Sequence, residues 1–410
     1  MVQSLKYCTK SKLFWVYFVL VLLACLKQMA QESLLLDSHE YLKKAHNLFN
    51  NWNAENVPQE RYLEPFRRTI GYPFLLKMVH YSHVFVYFFQ AFISILIPVF
   101  LHKFSVKNAF FSNQWMWIML CLITYPLQFF YSAMIMPEIL VQFGLLLMVV
   151  FYFEGHWRRI PILLSLLILL KPVFLTFLLF PVVLAVFKRY TLSLIDLMPI
   201  AIVLIISGLH FKQYGVFEYS SVGYTNAYDY NRKKFMIQKF GESFTDSLYQ
   251  TEVVTELKNH KDNSEFLVSF FKSKTTPILL DPIYWYVHLK GFFVVFADPG
   301  RYDAMVFLNW QKTSGFMGIN DGNAQTTRPM YQWIYIVLFA LVGIIKIFFA
   351  IFAVFHWRKY SAFKLLLLMI VVLAFMAGPV GSARYLLPVY PIVSILSGIG
   401  ILTFKNYQLK

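Results

Sequence analysis

Long apolar runs alternate with polar connectors along most of this chain. Eight of the runs are long enough to cross a bilayer, since about 20 apolar residues in a helix span the hydrocarbon. They lie at 13–29, 84–104, 114–132, 137–154, 194–211, 332–356, 361–379 and 385–404. Another apolar stretch, 160–188, is too long for one crossing, and the proline after Lys171 would end or bend a helix there. We divide it in two, which predicts an all-α polytopic membrane protein with about ten transmembrane helices.

Two longer polar stretches interrupt this pattern, at 30–83 and 212–330. The second is too long to be a simple connector. Its segment 284–310 mixes aromatic, aliphatic and ionisable residues, and is too interrupted to span. Such a segment is typical of a helix that lies in the membrane interface. We therefore expect one membrane domain, 1–410, with two large external loops that carry short interfacial helices.

The distribution of charge indicates the topology rather than a nucleic-acid partner, although the formal net charge is +16. Residues 27–83 hold seven basic and six acidic side chains, and residues 212–330 hold thirteen and twelve. Most other basic residues lie at the termini or in short connectors such as HWRR and KRY. Counting 160–188 as two crossings keeps these connectors on one side. Because basic connectors face the cytoplasm, we expect both termini inside and both large loops outside.

Composition and cysteine usage agree with a membrane protein. Only 14% of the residues are charged and 58% are hydrophobic, whereas soluble domains have about 25% charged residues. Cys8, Cys25 and Cys121 lie in or beside apolar or cytoplasmic segments and show no metal-ligand spacing.

The run from Leu13 to Leu26 follows basic residues as a signal peptide does, but no small-residue cleavage site follows it. We interpret it as an uncleaved first span.

Ionisable side chains collect on the external face of this topology. They are Asp37, His39 and Glu40 after the first span, Arg67 and Arg68 before the second, Glu138 at the start of the fourth, Lys171 between the fifth and sixth, and Arg384 at the head of the last. A carboxylate that takes a proton and guanidinium groups that bind phosphate suit chemistry on an anionic substrate.

Simpler interpretations exist for each of these groups. The charged residues of 36–74 are also typical of an ordinary loop that is exposed to water. Glu138 follows a proline at a helix start, where the helix dipole favours a carboxylate. Lys171 would also suit a kinked helix with a snorkelling lysine. His39 could join Asp37 and Glu40 around a divalent metal, but three ligands within four positions make a poor cage, so we predict no structural metal and keep a divalent cation only as a possible cofactor.

The order of several short motifs resembles that of the GT-C membrane glycosyltransferases. DSHEYL follows the first span, RRTIGYPFLL precedes the second, PEIL opens a later one, KP divides two short ones, and ARYLLP comes near the end. The likeness covers the chain in order from Leu13 to about Pro391. Within the family it is most similar to the bacterial branch related to protein O-mannosyltransferases and lipid A aminoarabinose transferases.

This resemblance implies a function and a site. A sugar would pass, with inversion, from a polyprenyl-phosphate donor to a glycan, lipid or protein acceptor at the outer face of the bacterial cytoplasmic membrane. Asp37 corresponds to the catalytic acid of the first external loop and Glu138 to the second acid. The candidate groups for the donor phosphate are Arg67, Arg68, Lys171 and Arg384, and the auxiliary candidates are Glu40, His39, Tyr72 and Tyr385.

The same resemblance assigns roles to the loops. Loop 30–83 would be catalytic, and loop 212–330 would recognise the acceptor or donor. In this chain RRTIGYP stands where aminoarabinose transferases have E-K-P-P. The glutamate that helps hold a metal in that subgroup is therefore not evident, which argues against both a metal and that acceptor.

Two alternatives remain open at the level of sequence. A polymerase or ligase that uses a polyprenyl-diphosphate glycan would share the basic external site but need a wider cavity. A transporter or flippase of lipid-linked sugars would place charged groups at mid-membrane and show repeated broken helices. Against the transporter, Lys346 is the only ionisable residue deep within a predicted span, and one break stands out.

Overall fold

The computed structural model describes residues 2–47, 67–107, 114–188, 191–257, 259–260, 263–310, 329–358 and 360–408. Within these ranges the chain forms helices and no β-strand. The α-helices are α1 Val2–Cys8, α2 Lys12–Ala30, α3 Leu36–Asn47, α4 Gly71–Met78, α5 His83–Lys107, α6 Trp115–Ile123, α7 Pro126–Ala133, α8 Glu138–Phe153, α9 Ile160–Leu170, α10 Phe180–Lys188, α11 Met198–Tyr214, α12 Val222–Asn226, α13 Lys233–Phe240, α14 Glu242–Glu252, α15 Ser264–Thr275, α16 Pro282–Ala297, α17 Arg301–Phe307, α18 Met330–His356, α19 Ser361–Met376 and α20 Tyr390–Gln408. Residues 48–66 of the first loop and 311–328 of the second lie outside the described part.

Among the described residues, five helices are long and apolar enough to cross a membrane. They are Lys12–Ala30, His83–Val106, Leu194–Tyr214, Met330–His356 and Leu387–Tyr407. Two further pairs qualify only when each pair is counted as one bent span, α6 with α7 at 66° and Glu265–Leu280 with α16 at 93°. The protein is thus a multi-pass helical membrane protein with five to seven candidate spans. The expected ten would also require shorter apolar helices, such as Glu138–Phe153 and Phe363–Met376, to cross.

The last long helix forms the centre of the bundle. Its spanning window, Leu387–Tyr407, is 78% buried inside the protein, whereas that of Met330–His356 is only 17% buried. Helices α6 and α18 both pack against α20. A helix that is apolar on every side has to be surrounded either by protein or by lipid. The burial therefore makes α20 an interior helix and leaves most of α18 for contact with lipid.

Proline interrupts two of the apolar stretches, 160–188 and 114–132. The break predicted at Lys171-Pro172 is confirmed: α9 ends at Leu170, Lys171 is extended, and a 3-10 turn begins at Pro172. The span predicted at 114–132 is also broken, between α6 and α7, where Pro126 begins the second half. Lys346 reaches this second break and donates hydrogen bonds to the Thr124 carbonyl at 3.0 Å and to the Tyr390 hydroxyl at 2.7 Å.

The described part of the second loop is a folded helical unit. Tyr228, Phe270 and Phe271 belong to its small apolar core. Beside that core Arg232 forms a bidentate pair with Glu252, with N–O distances of 2.7 and 3.0 Å. Helix α16 packs against α13, α18 and α19. We expected α16 to be an interfacial helix. Because it is one half of a bent pair, its geometry also fits a broken span or a re-entrant hairpin.

The two ends of the bundle carry different groups of residues. At one end Lys103 pairs with Glu154 at 3.4 Å, and Tyr7 near the N-terminus stacks on His102. The connectors of this end are rich in Lys and Arg. The opposite end begins where α2 ends at Ala30 and α8 begins at Glu138. The candidate site residues collect at that second end.

Candidate functional site

One face of α3 presents the polar side chains of the site. Asp37, Glu40, Tyr41 and Lys44 follow the i, i+3, i+4, i+7 spacing of a helical stripe, and all four are buried. Asp37 lies in the first turn, where the helix dipole favours a carboxylate. His39 falls off this stripe and is exposed. The structure therefore brings Asp37 and Glu40 to the site and leaves His39 outside it.

Asp37 is the meeting point of two distant parts of the sequence. Its Oδ1 lies 2.6 Å from Nη2 of Arg68, and its Oδ2 lies 2.9 Å from Nη2 of Arg384. Arg68 also binds Glu40 through Nε at 2.6 Å. We call these four residues the Asp37 cluster. Charge-assisted hydrogen bonds of this length are among the stronger polar contacts in proteins, so the cluster links the first connector to the last one.

Three backbone contacts hold Arg67 and Arg68 in place. Lys44 Nζ donates to the Arg68 carbonyl, and the Ser220 hydroxyl donates to the Arg67 carbonyl at 2.6 Å. Next along the chain, the Thr69 hydroxyl donates to the Leu170 carbonyl at 2.9 Å. The short segment before α4 is thus fixed by α3, by the second loop and by the end of α9.

The three arginines at the site differ in how accessible they are to a ligand. Arg68 keeps 13% of its side chain exposed and Arg384 keeps 24%. Arg67 is 3% exposed and lies 3.8 Å from Glu40, and its Nε and Nη1 have no hydrogen-bond partner among the described residues. An incoming anion would therefore meet Arg68 and Arg384 first, because Arg67 is enclosed.

Glu138 and Lys171 form a second charged pair. The Lys171 ammonium lies 2.7 Å from Glu138 Oε1, and the glutamate is fully buried. Glu138 begins α8 directly after Pro137, so the helix start contributes to its position. It also acts electrostatically on Arg384 and on Tyr41. The pair is thus neighbour to the Asp37 cluster, and neither side chain is an isolated surface group.

Tyrosines line the region between these charges. Tyr72 is fully buried, packs edge-on against Tyr41 with ring centroids 5.1 Å apart, and accepts a hydrogen bond from Gln90 at 3.1 Å. Tyr385 is partly exposed, and its ring centroid lies 5.8 Å from the Arg384 guanidinium carbon. Both auxiliary tyrosines predicted from the sequence are therefore close to the charged groups.

Two aspartates of the second loop join the site, although sequence analysis assigned them no role. Asp303 is 1% exposed, receives a hydrogen bond from Tyr131 at 2.6 Å, and interacts electrostatically with Arg384. Asp298 accepts a hydrogen bond from the Ala383 amide at 3.0 Å. The only signal in the sequence was a run of ionisable residues, DPGRYD, inside an otherwise aromatic and aliphatic segment.

Burial shifts the pKa of Lys44 and Asp303 at this end of the protein, and nearby carboxylates outweigh its effect on Arg68. Burial lowers the pKa of Lys44 to about 7, with a further contribution from the Arg68 charge. Burial raises the pKa of Asp303 to about 7, against the opposing effect of Arg384. Burial alone would lower the pKa of Arg68, but Asp37 and Glu40 outweigh it and raise that pKa. The arginine therefore stays charged, whereas Lys44 and Asp303 titrate near neutral pH.

This arrangement can bind an oxyanion and accept a proton. Partly exposed guanidinium groups suit phosphate, and carboxylates beside them suit general base chemistry. Among the described residues no group of three His, Cys, Asp or Glu side chains is arranged to hold a metal ion.

Comparison with protein-family models, with curated proteins and with solved structures finds no match to this chain.

Proposed function

We propose that this protein is an integral membrane glycosyltransferase that moves a sugar from a polyprenyl-phosphate donor to an acceptor hydroxyl. The observation that carries the proposal is the Asp37 cluster, in which a buried carboxylate is held by two partly exposed arginines at one end of an apolar helical bundle. The order of motifs from Leu13 to Pro391 supports the same enzyme class.

The carboxylates of the cluster neutralise the arginines that would bind the donor phosphate. Asp37 occupies Arg68 and Arg384 at 2.6 and 2.9 Å. The donor phosphate is a diester with one negative charge and two free oxygens, and such a group binds guanidinium groups in bidentate fashion. Donor binding would therefore compete with Asp37 for both arginines. The released carboxylate would then be available to accept a proton.

The reaction needs one base and one stabilised leaving group. The acceptor hydroxyl oxygen forms a bond to the anomeric carbon while the bond from that carbon to the phosphate oxygen breaks, with inversion. The hydroxyl proton passes to the Asp37 carboxylate. The departing polyprenyl phosphate gains negative charge, which Arg68, Arg384 and Lys171 would stabilise. Glu138 would hold Lys171 and orient the sugar or acceptor, since it binds that lysine at 2.7 Å.

An apolar cavity supports a lipid-linked donor. It measures about 130 Å³ and lies between α8, the 172–188 segment and α19. Met148, Tyr152, Phe177 and Met369 are among its lining residues. Helix α8 joins Glu138 at the site to this cavity, and ten residues of helix cover about 15 Å. An isoprenoid chain needs only apolar surface to be buried, so this cavity is our candidate for part of the chain.

The proposal includes a topology. Both termini and the Lys/Arg-rich end of the bundle would face the cytoplasm, and the Asp37 cluster would face outward in the cytoplasmic membrane of a bacterium. The charge distribution supports this orientation. Ten crossings would require α8, α9, Pro172–Lys188 and α19 to cross despite their short length, with the bilayer thinned around them.

A transfer assay tests the proposal. Purified protein in lipid would be given a panel of radiolabelled polyprenyl-phosphate sugars with extracts of envelope acceptors. We expect Asp37→Asn to abolish transfer, because the amide cannot take the proton, while donor binding is largely kept. His39→Asn is the matched control, since His39 is exposed on the same helix, and it should keep full activity. Turnover retained by Asp37→Asn would refute the role of this residue.

Bent helices favour a transporter of lipid-linked sugars as the second candidate. Two helix pairs bend by 66° and 93°, and Lys346 binds the backbone at the first break. Broken helices around a mid-membrane charge are typical of transporters. Movement of a fluorescent lipid-linked sugar between the leaflets of reconstituted vesicles, without any transfer or hydrolysis, would establish this candidate in place of the transferase.

A further inference from the structure

The backbone next to Arg384 is held from two sides. Asp298 Oδ2 accepts a hydrogen bond from the Ala383 amide at 3.0 Å, and the Tyr125 hydroxyl donates to the Ala383 carbonyl at 3.0 Å. Both backbone polar groups of Ala383 therefore have distant hydrogen-bond partners. Ala383 itself is 1% exposed. The position of the Arg384 backbone is consequently set by the second loop and by the broken span α6–α7.

Asp298 is itself rigidly placed. Its Oδ1 accepts from the Gly300 amide at 3.2 Å and lies 3.6 Å from Arg301 Nε. Gly300 has φ of +74°, and a Cβ at that position would come within 2.3 Å of the Leu127 side chain. The Tyr335 hydroxyl donates to the Pro299 carbonyl at 2.8 Å. These contacts fix the turn at 298–300 between α7 and α18.

The Arg384 side chain has a different environment from its backbone. Its guanidinium pairs with Asp37 and keeps 24% of its area exposed. It is the more exposed of the two arginines in the Asp37 cluster, and a long, partly exposed side chain retains rotamer freedom that is lost on binding. Fixing the backbone reduces the entropy lost when the guanidinium binds an anion.

We propose that Asp298 is a positioning residue that holds Arg384 in the geometry for binding the donor phosphate, and so couples the second loop to the anion site. The inference rests on the proposed function, because it takes Arg384 as a phosphate-binding group. Asp298 acts through the Ala383 peptide and does not contact the ligand. The second loop would then contribute to donor affinity as well as to acceptor recognition.

Binding of a soluble donor fragment tests the proposal. Farnesyl phosphate is titrated into the purified full-length protein in nanodiscs, with inorganic phosphate and farnesol as separate probes of the two halves of the ligand. We expect Asp298→Ala to weaken farnesyl phosphate binding about tenfold, the effect of about 1.4 kcal/mol, and to leave farnesol binding unchanged. Asp298→Asn keeps a carbonyl oxygen for the Ala383 amide but places an NH2 group beside the Gly300 and Arg301 amides, so its affinity should lie between those of the parent and Asp298→Ala.

A matched control and a double variant separate positioning from general stability. Asp281 is another aspartate of the second loop, where it accepts from the Ile283 amide and binds Lys239. Asp281→Ala should leave farnesyl phosphate affinity unchanged. If Asp298 acts through Arg384, then adding Asp298→Ala to Arg384→Ala should cause no further loss of affinity.

The outcomes distinguish this inference from the proposed function. The positioning role would be overturned if Asp298→Ala lowered farnesyl phosphate affinity equally in the parent protein and in Arg384→Ala. It would also be overturned if Asp298→Ala lowered that affinity in neither protein. The same conclusion would follow if Asp298→Asn bound as weakly as Asp298→Ala. Unchanged farnesyl phosphate binding by Arg384→Ala would instead remove Arg384 from the phosphate site, and the proposed donor chemistry with it.

Discussion

At the scale of single residues, the buried carboxylates divide into two kinds. Asp37 has two guanidinium groups as its partners, at 2.6 and 2.9 Å. Asp303 has a phenol as its hydrogen-bond donor, and burial raises its pKa to about 7. Asp303 is therefore the group whose titration near neutral pH can be measured.

Stability should depend on pH through Asp303. Its pKa is near 7 in the folded protein against an ordinary value of 3.8, so between these two pH values the folded state binds more protons than the unfolded state. The contribution of Asp303 to the free energy of unfolding should fall by up to about 4 kcal/mol as the pH rises through this window, and then stay level. Asp303→Asn should lose that slope. Thermal unfolding in detergent from pH 5 to 8 measures it, and an unchanged slope in the variant would contradict the assignment.

The Glu138–Lys171 pair should behave as a unit. Removing one partner of a buried ion pair leaves an uncompensated charge and costs about 3–5 kcal/mol. Lys171→Met and Glu138→Gln should therefore each lower thermal stability, and the double variant should be more stable than the sum of the single effects predicts. Thermal unfolding of the four proteins gives the coupling energy. Strict additivity would mean that the 2.7 Å contact contributes nothing in the membrane environment.

At the scale of elements, glycine and proline decide how closely helices approach and where they end. Pro172 and Pro126 end α9 and α6 respectively, as the loss of a backbone donor requires. The first of these breaks follows from the sequence because a charged residue precedes the proline. The second does not, because the flanking residues remain apolar and a straight span fits the same pattern.

Close helix packing at Gly291 gives a testable consequence. A Cβ at this position of α16 would lie 2.1 Å from the Gly378 carbonyl oxygen, so Gly291→Ala should displace α16 from the 378–380 connector and cost about 1–3 kcal/mol. Gly208 in α11 is the matched control, since nothing lies within 4 Å of the same added atom. Gly208→Ala should be neutral or stabilise by up to about 1 kcal/mol. Equal thermal stability of the two variants would argue against this packing.

At the scale of the whole molecule, the charged cluster and the basic connectors lie at opposite ends of the bundle. The proposed orientation puts the Asp37 cluster outside, with the second loop beside it. The three native cysteines are buried, so single introduced cysteines can report the exposed face. The assignment of one end of the bundle to the cytoplasm rests only on the distribution of charge.

Labelling of intact cells with a membrane-impermeant maleimide tests the orientation. His39 and Ser243 are exposed in the two loops, and Arg158 is exposed at the basic end. We expect His39→Cys and Ser243→Cys to be labelled in intact cells, and Arg158→Cys to be labelled only after the membrane is opened. The reverse pattern would place the Asp37 cluster in the cytoplasm and rule out an external donor site.

The sequence by itself determined that the protein lies in a membrane, that it is helical and that a helix breaks at Lys171. It also indicated which ionisable groups belong to the same end of the bundle. These features depend on local composition and on the spacing of apolar residues, and both can be read from one segment of the sequence at a time. The tertiary structure decided that Asp37 pairs with Arg384, that His39 faces away, and that Asp298 and Asp303 join the site. Those contacts connect residues far apart in the chain. Their choice depends on how whole helices pack, and no local pattern encodes it.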